Sequence, residues 1–343
     1  MLKTLTTNIS KTFGLIIVFF GLTFLSCESN PLEIDVSQIN IQPQYRHFEN
    51  DLFKKEANIS NNDIEQLQSE YGIFFSDFTS QIINIGDERR SDFIFQLNRF
   101  KNDANINDVF SDVKKMYGDF SSIQPFITNA FKHYHYYFPE KEIPTIITYI
   151  SGFNYAIATG ENYLGIGLDM FLGSDYKAYD LLAIPKYKSR IMTKDYLVPS
   201  VMLGWISTEF EMPIAQPNLL EEMIHQGKIL YLLDALLPQE EYYLKLSYTP
   251  EQYEWCEQNN KEIWFYFMDN DLLYTKESTQ IVKYMGEAPF TQGFPEGSPG
   301  RVGHWLGWQI VKAYMKKNPK VSIPELMQEE DFQKILTKSK YKP

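Results

Sequence analysis

The chain has 343 residues, of which 44% are hydrophobic and 15% aromatic, so it can bury a large core. Its composition is too polar for a protein that crosses a membrane several times. The formal net charge of -12 repels phosphate backbones and excludes nucleic acid as an expected partner.

The N-terminus has the pattern of a bacterial lipoprotein signal. Lys3 and Lys11 precede the apolar run 13–25, which suits a signal-peptide core and is short for a membrane-spanning helix. Cys27 follows the small residue Ser26, at the position where such proteins are cleaved and acylated. Acyl chains attached there would give a lasting membrane anchor.

These signals predict three parts of the chain. Residues 1–26 are a lipoprotein signal peptide, 27–33 a lipid-anchored tether, and 34–343 a single domain whose N-terminal part is helical. With Cys27 acylated, Cys256 has no partner, so we expect no intramolecular disulfide and an inert, partly buried thiol.

The first third of the domain contains helical patterns and no evident chemistry. The segments 34–36 and 39–41 alternate like a strand, and helical spacing follows over 64–83, 91–100, 107–117 and 122–138. His133 and His135 fall in the last of these. Two residues apart on a helix, they point about 200° from each other and cannot share a metal.

A small sheet is predicted next, from a buried strand over 145–150 and an alternating one over 163–172. Gly165, Gly167 and Asp169 lie on one face of the second strand. Glycines on one face indicate the close approach of a backbone or a ligand. These three residues are therefore candidates for the lining of a cleft, and simple packing against a neighbour is at least as good an interpretation.

The rest of the chain is read as helical. Helices are predicted near 200–210 and over 218–237, 250–267, 278–285 and 301–315, with a last one capped at Ser322. Gly303 and Gly307 clear one face of the fifth of these for close packing against a second helix. A Gly/Pro-rich loop precedes that helix, and Arg301 or His304 is expected to reach from it into a cleft.

The helix over 218–237 is apolar on nearly all sides except for a polar stripe. Glu221, Glu222, His225 and Lys228 form that stripe on its first turns. Zinc peptidases of the zincin type carry His-Glu-x-x-His on a buried helix. Here Glu221 stands where the first histidine would be, and Lys228 adds a cation one turn beyond His225. Two readings remain open: a peptidase site converted into an internal ion-pair network, and a buried helix with a few satisfied polar groups.

A zinc site would need a third ligand. A downstream glutamate could supply it, and the next helix carries a row of them: Glu251, Glu254, Glu257 and Glu262. Such a row is more often a solvated face. Under this alternative, His225 and Glu221 would bind zinc and Glu222 would act as the base. Otherwise we expect no metal, no cofactor and no catalytic residue.

Four blocks of the sequence resemble the gliding-motility lipoprotein GldB family. They are Ser-Gly-Phe-Asn-Tyr (151–155), the strand block 163–173, the central helix block 218–238, and Gly-Arg-Val-Gly-His-Trp-Leu-Gly-Trp (300–308). The chain is more remotely similar to predicted zinc-dependent, zincin-type peptidases. The resemblance implies a lipid-anchored envelope protein needed for gliding, in machinery linked to type IX secretion, without a demonstrated enzyme activity.

The expected fold is α+β and mostly helical, a zincin-like body with a small sheet packed on the buried central helix. Three functions remain open: a non-catalytic scaffold for other proteins of the gliding and secretion machinery, a zinc metallopeptidase with a Glu-Glu-x-x-His site, and a lipid-anchored solute-binding protein. The expected location is a cell-envelope membrane, with the domain facing the periplasm and anchored through Cys27.

Overall fold

The computed structural model describes residues 30–54 and 58–343. The predicted signal peptide and the predicted lipid-attachment residue Cys27 lie outside these ranges. Among the described residues, Leu32–Pro343 forms one compact unit. None of its helices combines the length and the apolar character that crossing a bilayer requires.

The sheet described here has four short strands in the order β1-β2-β4-β3. They are β1 (Tyr45–His47), β2 (Thr145–Tyr149), β3 (Ile157–Gly160) and β4 (Tyr163–Gly167). β2 pairs in parallel with both β1 and β4, and β3 pairs antiparallel with β4. The Thr-Ile-Ile-Thr-Tyr sequence of β2 is rich in β-branched residues, as expected for a buried strand.

The helices between β1 and β2 form most of the N-terminal part. They are α1 (Phe48–Phe53), α2 (Asn61–Tyr71), α3 (Ile73–Asp77) with a π-helical turn (Phe78–Ile82), α4 (Phe93–Lys101), α5 (Ala104–Tyr117) and α6 (Gln124–Tyr137). The single helix predicted over 64–83 is therefore divided. Gly72, with φ of 54°, ends α2 and starts α3.

After β4 comes a 3-10 turn (Leu168–Phe171), and the chain is helical from there to its end. The helices are α7 (Lys177–Leu181), α8 (Lys186–Ser189), α9 (Lys194–Glu209), α10 (Leu219–Leu236), α11 (Tyr242–Lys245), α12 (Pro250–Gln258), α13 (Asn260–Asp269), α14 (Ser278–Met285), α15 (Val302–Lys317), α16 (Ile323–Gln328) and α17 (Phe332–Ser339). The α+β, mostly helical class is confirmed.

Several local predictions need correction. The segments 34–36 and 39–41 form no strand, and the first strand is β1. The helix predicted over 250–267 breaks at Asn259 into α12 and α13. The strand predicted over 163–172 ends at Gly167, and β4 lies inside the sheet, so it is not an edge strand that could border a cleft.

The position of α10 determines where the predicted polar stripe lies. α10 packs against α15 along its length and also contacts α6, α9 and α17. Leu, Ile and Met side chains are buried on all its sides, which is why its apolar residues show no single-faced pattern. Any polar side chain on α10 must therefore find its partner inside the protein or at the few places where the surrounding helices leave a gap.

Candidate functional site

The start of α10 is fixed by its own side chains. Asn218 Oδ1 accepts a hydrogen bond from the Glu221 backbone NH at 3.0 Å, and Glu221 Oε2 accepts one from the Asn218 NH at 2.7 Å. This reciprocal pair is a capping box, which satisfies two NH groups at the helix start. Glu221, the predicted ligand position, is therefore part of the helix cap.

Lys228 is buried, with 2% of its surface exposed. Its Nζ donates to the backbone oxygens of Met327 at 3.1 Å and Glu329 at 2.8 Å, and it lies 5.3 Å from the centre of the Phe332 ring. Burial lowers the pKa of Lys228 to about 8, although nearby glutamates favour its charged form. The ammonium thus ties α10 to the C-terminal end of α16, where helix carbonyls are unsatisfied and the dipole is negative.

These contacts correct the predicted ion-pair network. Glu221 bonds to its own helix cap and Lys228 bonds to carbonyl oxygens, so no carboxylate within the described ranges pairs with this lysine. The physical reason is that a helix C-terminus supplies oxygens that accept from an ammonium as well as a carboxylate does.

The two remaining residues of the polar stripe are His225 and Glu222. His225 is 6% exposed, and its Nδ1 is buried without a hydrogen-bond partner in the part of the chain that the structure describes. Burial, and then the charge of Lys228, lower the pKa of His225 to about 4, so the ring is neutral at pH 7. Glu222 is half-buried, and burial raises its pKa.

The fit of this stripe to zinc is poor. A neutral imidazole with a free nitrogen is a suitable donor. However, Glu221 is used by the capping box, and Lys228 places a positive charge beside the imidazole. Among the described residues, no group of three or more His, Cys, Asp or Glu side chains is arranged to hold a metal ion. The glutamates 251, 254, 257 and 262 are exposed on α12 and α13.

The strongest buried polar cluster on α10 lies near its other end. Asp234 Oδ1 and Lys245 Nζ are 2.8 Å apart, and Trp308 Nε1 donates to Asp234 Oδ2 at 2.7 Å. Lys245 also donates to the Leu237 oxygen at 3.3 Å. This ion pair was not among the sequence-based predictions. The available signal was the lone carboxylate at position 234 within an otherwise apolar helical run.

Three of the cleft-lining candidates lie in the packed interior, which corrects that prediction. A methyl group on Gly165 would lie 2.9 Å from the Tyr149 ring, and one on Gly167 would overlap the Tyr155 carbonyl oxygen. Asp169 is fully buried and accepts hydrogen bonds from the backbone NH of Ser151 at 3.0 Å and from two further donors nearby. The close neighbour on this face is therefore the protein's own backbone, not a ligand.

Arg301 immediately precedes α15. It has a left-handed backbone, with φ of 57° and ψ of 37°, and its carbonyl oxygen accepts a hydrogen bond from the Tyr248 hydroxyl at 3.0 Å. It lines a narrow cavity together with Arg190, Ser247 and Glu287.

His304, the other candidate from this loop, lies one turn into α15. Burial, and then the charge of Arg301, lower the pKa of His304 to about 3, so this ring is also neutral at pH 7. Of the five cleft-lining candidates, Arg301 lines the narrow cavity described above, and the other four do not line it.

Comparison with known families gives one result. The model of the family described as gliding motility protein GldB matches residues 29–343, which is nearly all of the chain after the predicted signal peptide. No curated protein and no solved structure shows a significant match to the chain. The zincin-like part of the fold prediction stays a prediction.

Proposed function

Because the chain belongs to the gliding motility protein GldB family, we propose that it is a lipid-anchored scaffold of the cell envelope. It would be held in the membrane through Cys27, face the periplasm, and serve the gliding machinery and the associated type IX secretion machinery by binding other envelope proteins. It would carry out no peptidase reaction of its own. The family match supports gliding motility, and the rest is our proposal.

The geometry of α10 supports the non-catalytic part of this proposal. The residue at the first ligand position closes a capping box, and the residue one turn beyond His225 anchors α16. Side chains that already hold the fold together cannot be spared for a metal without loosening the helix start or its contact with α16. The single observation that carries the proposal is thus the use of Glu221 and Lys228 as structural ties.

Replacement of Glu222 and His225 tests the proposal in cells. We expect Glu222→Gln and His225→Gln to be produced at normal levels and to support normal gliding speed. The alternative, a zinc metallopeptidase, requires both residues for its reaction. Gliding abolished by Glu222→Gln at an unchanged protein level would contradict the scaffold, as would one equivalent of zinc that is lost with His225→Gln.

Two further variants calibrate that assay. Cys27→Ser removes the proposed acylation site and should release the protein from the membrane and stop gliding. Asp234→Ala breaks the buried ion pair with Lys245 and should lower the protein level, which shows what loss of gliding through misfolding looks like. Crosslinking in cells with the wild-type chain, followed by identification of the captured proteins, would name the partners.

A further inference from the structure

Two arginines near the start of α15 lack the partners that such groups normally have. Arg190 follows α8 and Arg301 precedes α15, and both are partly buried where they line the same cavity. Neither guanidinium has a hydrogen bond or an ion pair with any residue in the ranges 30–54 and 58–343, and Arg190 Nε is fully buried. Buried or half-buried charges are usually paired, because removing them from water is costly.

Two positive charges in this cavity are electrostatically unfavourable unless an anion binds there. Burial lowers the pKa of Arg190, and the positive charge of Arg301 acts in the same direction, while Tyr196, Glu287 and Tyr248 act against them; the net shift is downward. Arg301 also stands at the positive end of the dipole of the 16-residue helix α15. Cations are favoured at the opposite end of a helix. Three positive contributions therefore meet in one cavity of a chain whose net charge is -12.

The backbone around the cavity is also held in an uncommon conformation. Arg301 and Ser247 both have positive φ, 57° and 54°, although neither is a glycine. Tyr248 fixes both segments, since it follows Ser247 directly and its hydroxyl binds the Arg301 carbonyl. Non-glycine residues in this region are strained, and such strain persists where the surrounding structure enforces it, often at functional sites.

Glu287 is the one carboxylate that lines the cavity, and its charge favours the charged form of Arg190 without a direct ion pair to either arginine among the described residues. Its Oε2 lies 3.8 Å from Lys188 Nζ on the outer side, and it forms no ion pair with Arg190 or Arg301 among the described residues. The side chain is 38% exposed. A carboxylate at this position can compete with an incoming anion, which gives the experiment below a variant that should act in the opposite direction.

From this geometry we infer that Arg190 and Arg301 form a binding site for a small oxyanion group, a carboxylate or a phosphate. The planar guanidinium fork matches both groups through paired hydrogen bonds. The cavity encloses about 230 Å³ including its opening to solvent, and its enclosed part has room for little more than one water molecule. The oxyanion group would therefore bind at the opening of the cavity, against the two guanidinium groups, with the rest of the ligand outside. The inference does not depend on the proposed function, since an anion site serves a scaffold and an enzyme equally.

Calorimetric titration of the full chain in detergent micelles tests the site. Inorganic phosphate and acetate are titrated separately at constant ionic strength with chloride as the replaced anion, so that general screening is held fixed. We expect saturable binding of at least one of them. Preferential binding of acetate identifies a carboxylate as the natural group, and preferential binding of phosphate identifies a phosphoryl group.

The variants separate this site from unspecific charge effects. Arg190→Gln and Arg301→Gln should each weaken binding about tenfold or more, the usual effect of losing hydrogen bonds to a charged group. Arg301→Gly removes the guanidinium while relieving the positive φ, so it should fold at least as well as the wild type and still lose binding. Arg89→Gln, which changes an exposed arginine paired with Asp87, is the matched control and should change nothing.

The direction in which Glu287→Gln changes the affinity for the anion decides between two explanations. If the arginines await an external anion, removal of this competing carboxylate should tighten binding. If Glu287 is instead their true partner in solution, the variant should lower the unfolding temperature without tightening binding, and the inference is overturned. Absence of saturable binding to the wild type, or equal affinity in Arg190→Gln and Arg301→Gly, would overturn it as well.

Discussion

A backbone contact between two helices, α10 and α15, gives the sharpest stability prediction. At the crossing of α10 and α15, Gly227 and Gly307 face each other backbone to backbone. A methyl group on Gly307 would lie 3.1 Å from Met223 Cα and still nearer to the carbonyl carbon and oxygen of the same residue. Carbon and oxygen atoms that are not bonded normally approach to about 3.3–3.6 Å. Gly307→Ala therefore forces the two helices apart.

Two opposing effects decide the size of the change. Alanine is a better helix former than glycine by about 1 kcal/mol, which would stabilise an isolated helix. Overpacking in a core costs about 1–3 kcal/mol and sometimes more, and a gap of even 1 Å forfeits much of the dispersion attraction along the crossing. The obstructing atoms belong to a helix backbone and cannot rotate away. The cost therefore lies at the top of that range or above it, and after subtraction of the gain in helix propensity we expect a net loss of at least about 2 kcal/mol in the free energy of unfolding.

Urea and thermal unfolding, followed by circular dichroism, measure this loss. Gly297→Ala is the control, because its φ is not positive and its new methyl group would come no nearer than 3.4 Å to another residue, the ring of Trp255. That variant should remain within about 1 kcal/mol of the wild type. If Gly307→Ala were as stable as the wild type, the two helices could not be in backbone contact as described.

Three further predictions concern the buried polar side chains. Lys228→Met keeps the apolar stem and leaves two carbonyls at the end of α16 without their donor, so the free energy of unfolding in urea should fall by about 1–3 kcal/mol. Asp234→Asn leaves Lys245 buried without its counter-charge and should cost about 3–5 kcal/mol, much of which the double variant with Lys245→Met should restore. The pKa of His225 is about 4 in the folded protein against 6.5 when unperturbed, so between these values the unfolded chain binds more protons and stability rises with pH. The gain in unfolding free energy from pH 5 to pH 7 should therefore be smaller in His225→Gln by up to about 2 kcal/mol, and an equal gain would show that this histidine is exposed.

Features that depend on neighbouring residues were predictable from the sequence. The start of α10 at Asn218 and the stop before Pro238 follow from capping chemistry and from the missing NH of proline. The close packing at Gly303 and Gly307 follows from their spacing of four on one helix face. Both predictions are confirmed, because the signals lie within a few residues of each other in the sequence, although the helix that packs against Gly307 could not be identified from it.

Partners that are distant in the sequence could not be predicted. One of the two readings of the polar stripe paired Lys228 with a nearby carboxylate of the same helix, but its acceptors lie about one hundred residues further along the chain. In the same way, β3 is short and has no strong alternation, so only its pairing with β4 makes it a strand. The end of β4 at Gly167 is set by Asp169, which turns inward to bind the 151–153 loop.

The distinction between satisfied and unsatisfied polar groups indicates where binding should be sought. Lys228 and Asp234 have partners inside the fold, so a ligand could gain contact with them only by breaking bonds that stabilise the protein. Arg190 and Arg301 have no hydrogen-bonded or ion-pair partner for their guanidinium groups among the residues that the structure describes, so an anion that reaches them would gain two charge-assisted contacts and break no ion pair seen there. His225 is the exception on α10, since its Nδ1 lacks a partner, and it is therefore the residue on which the zinc measurement must be made. A peptidase that acts through this histidine thus predicts that His225→Gln abolishes gliding, whereas a scaffold predicts normal gliding in that variant.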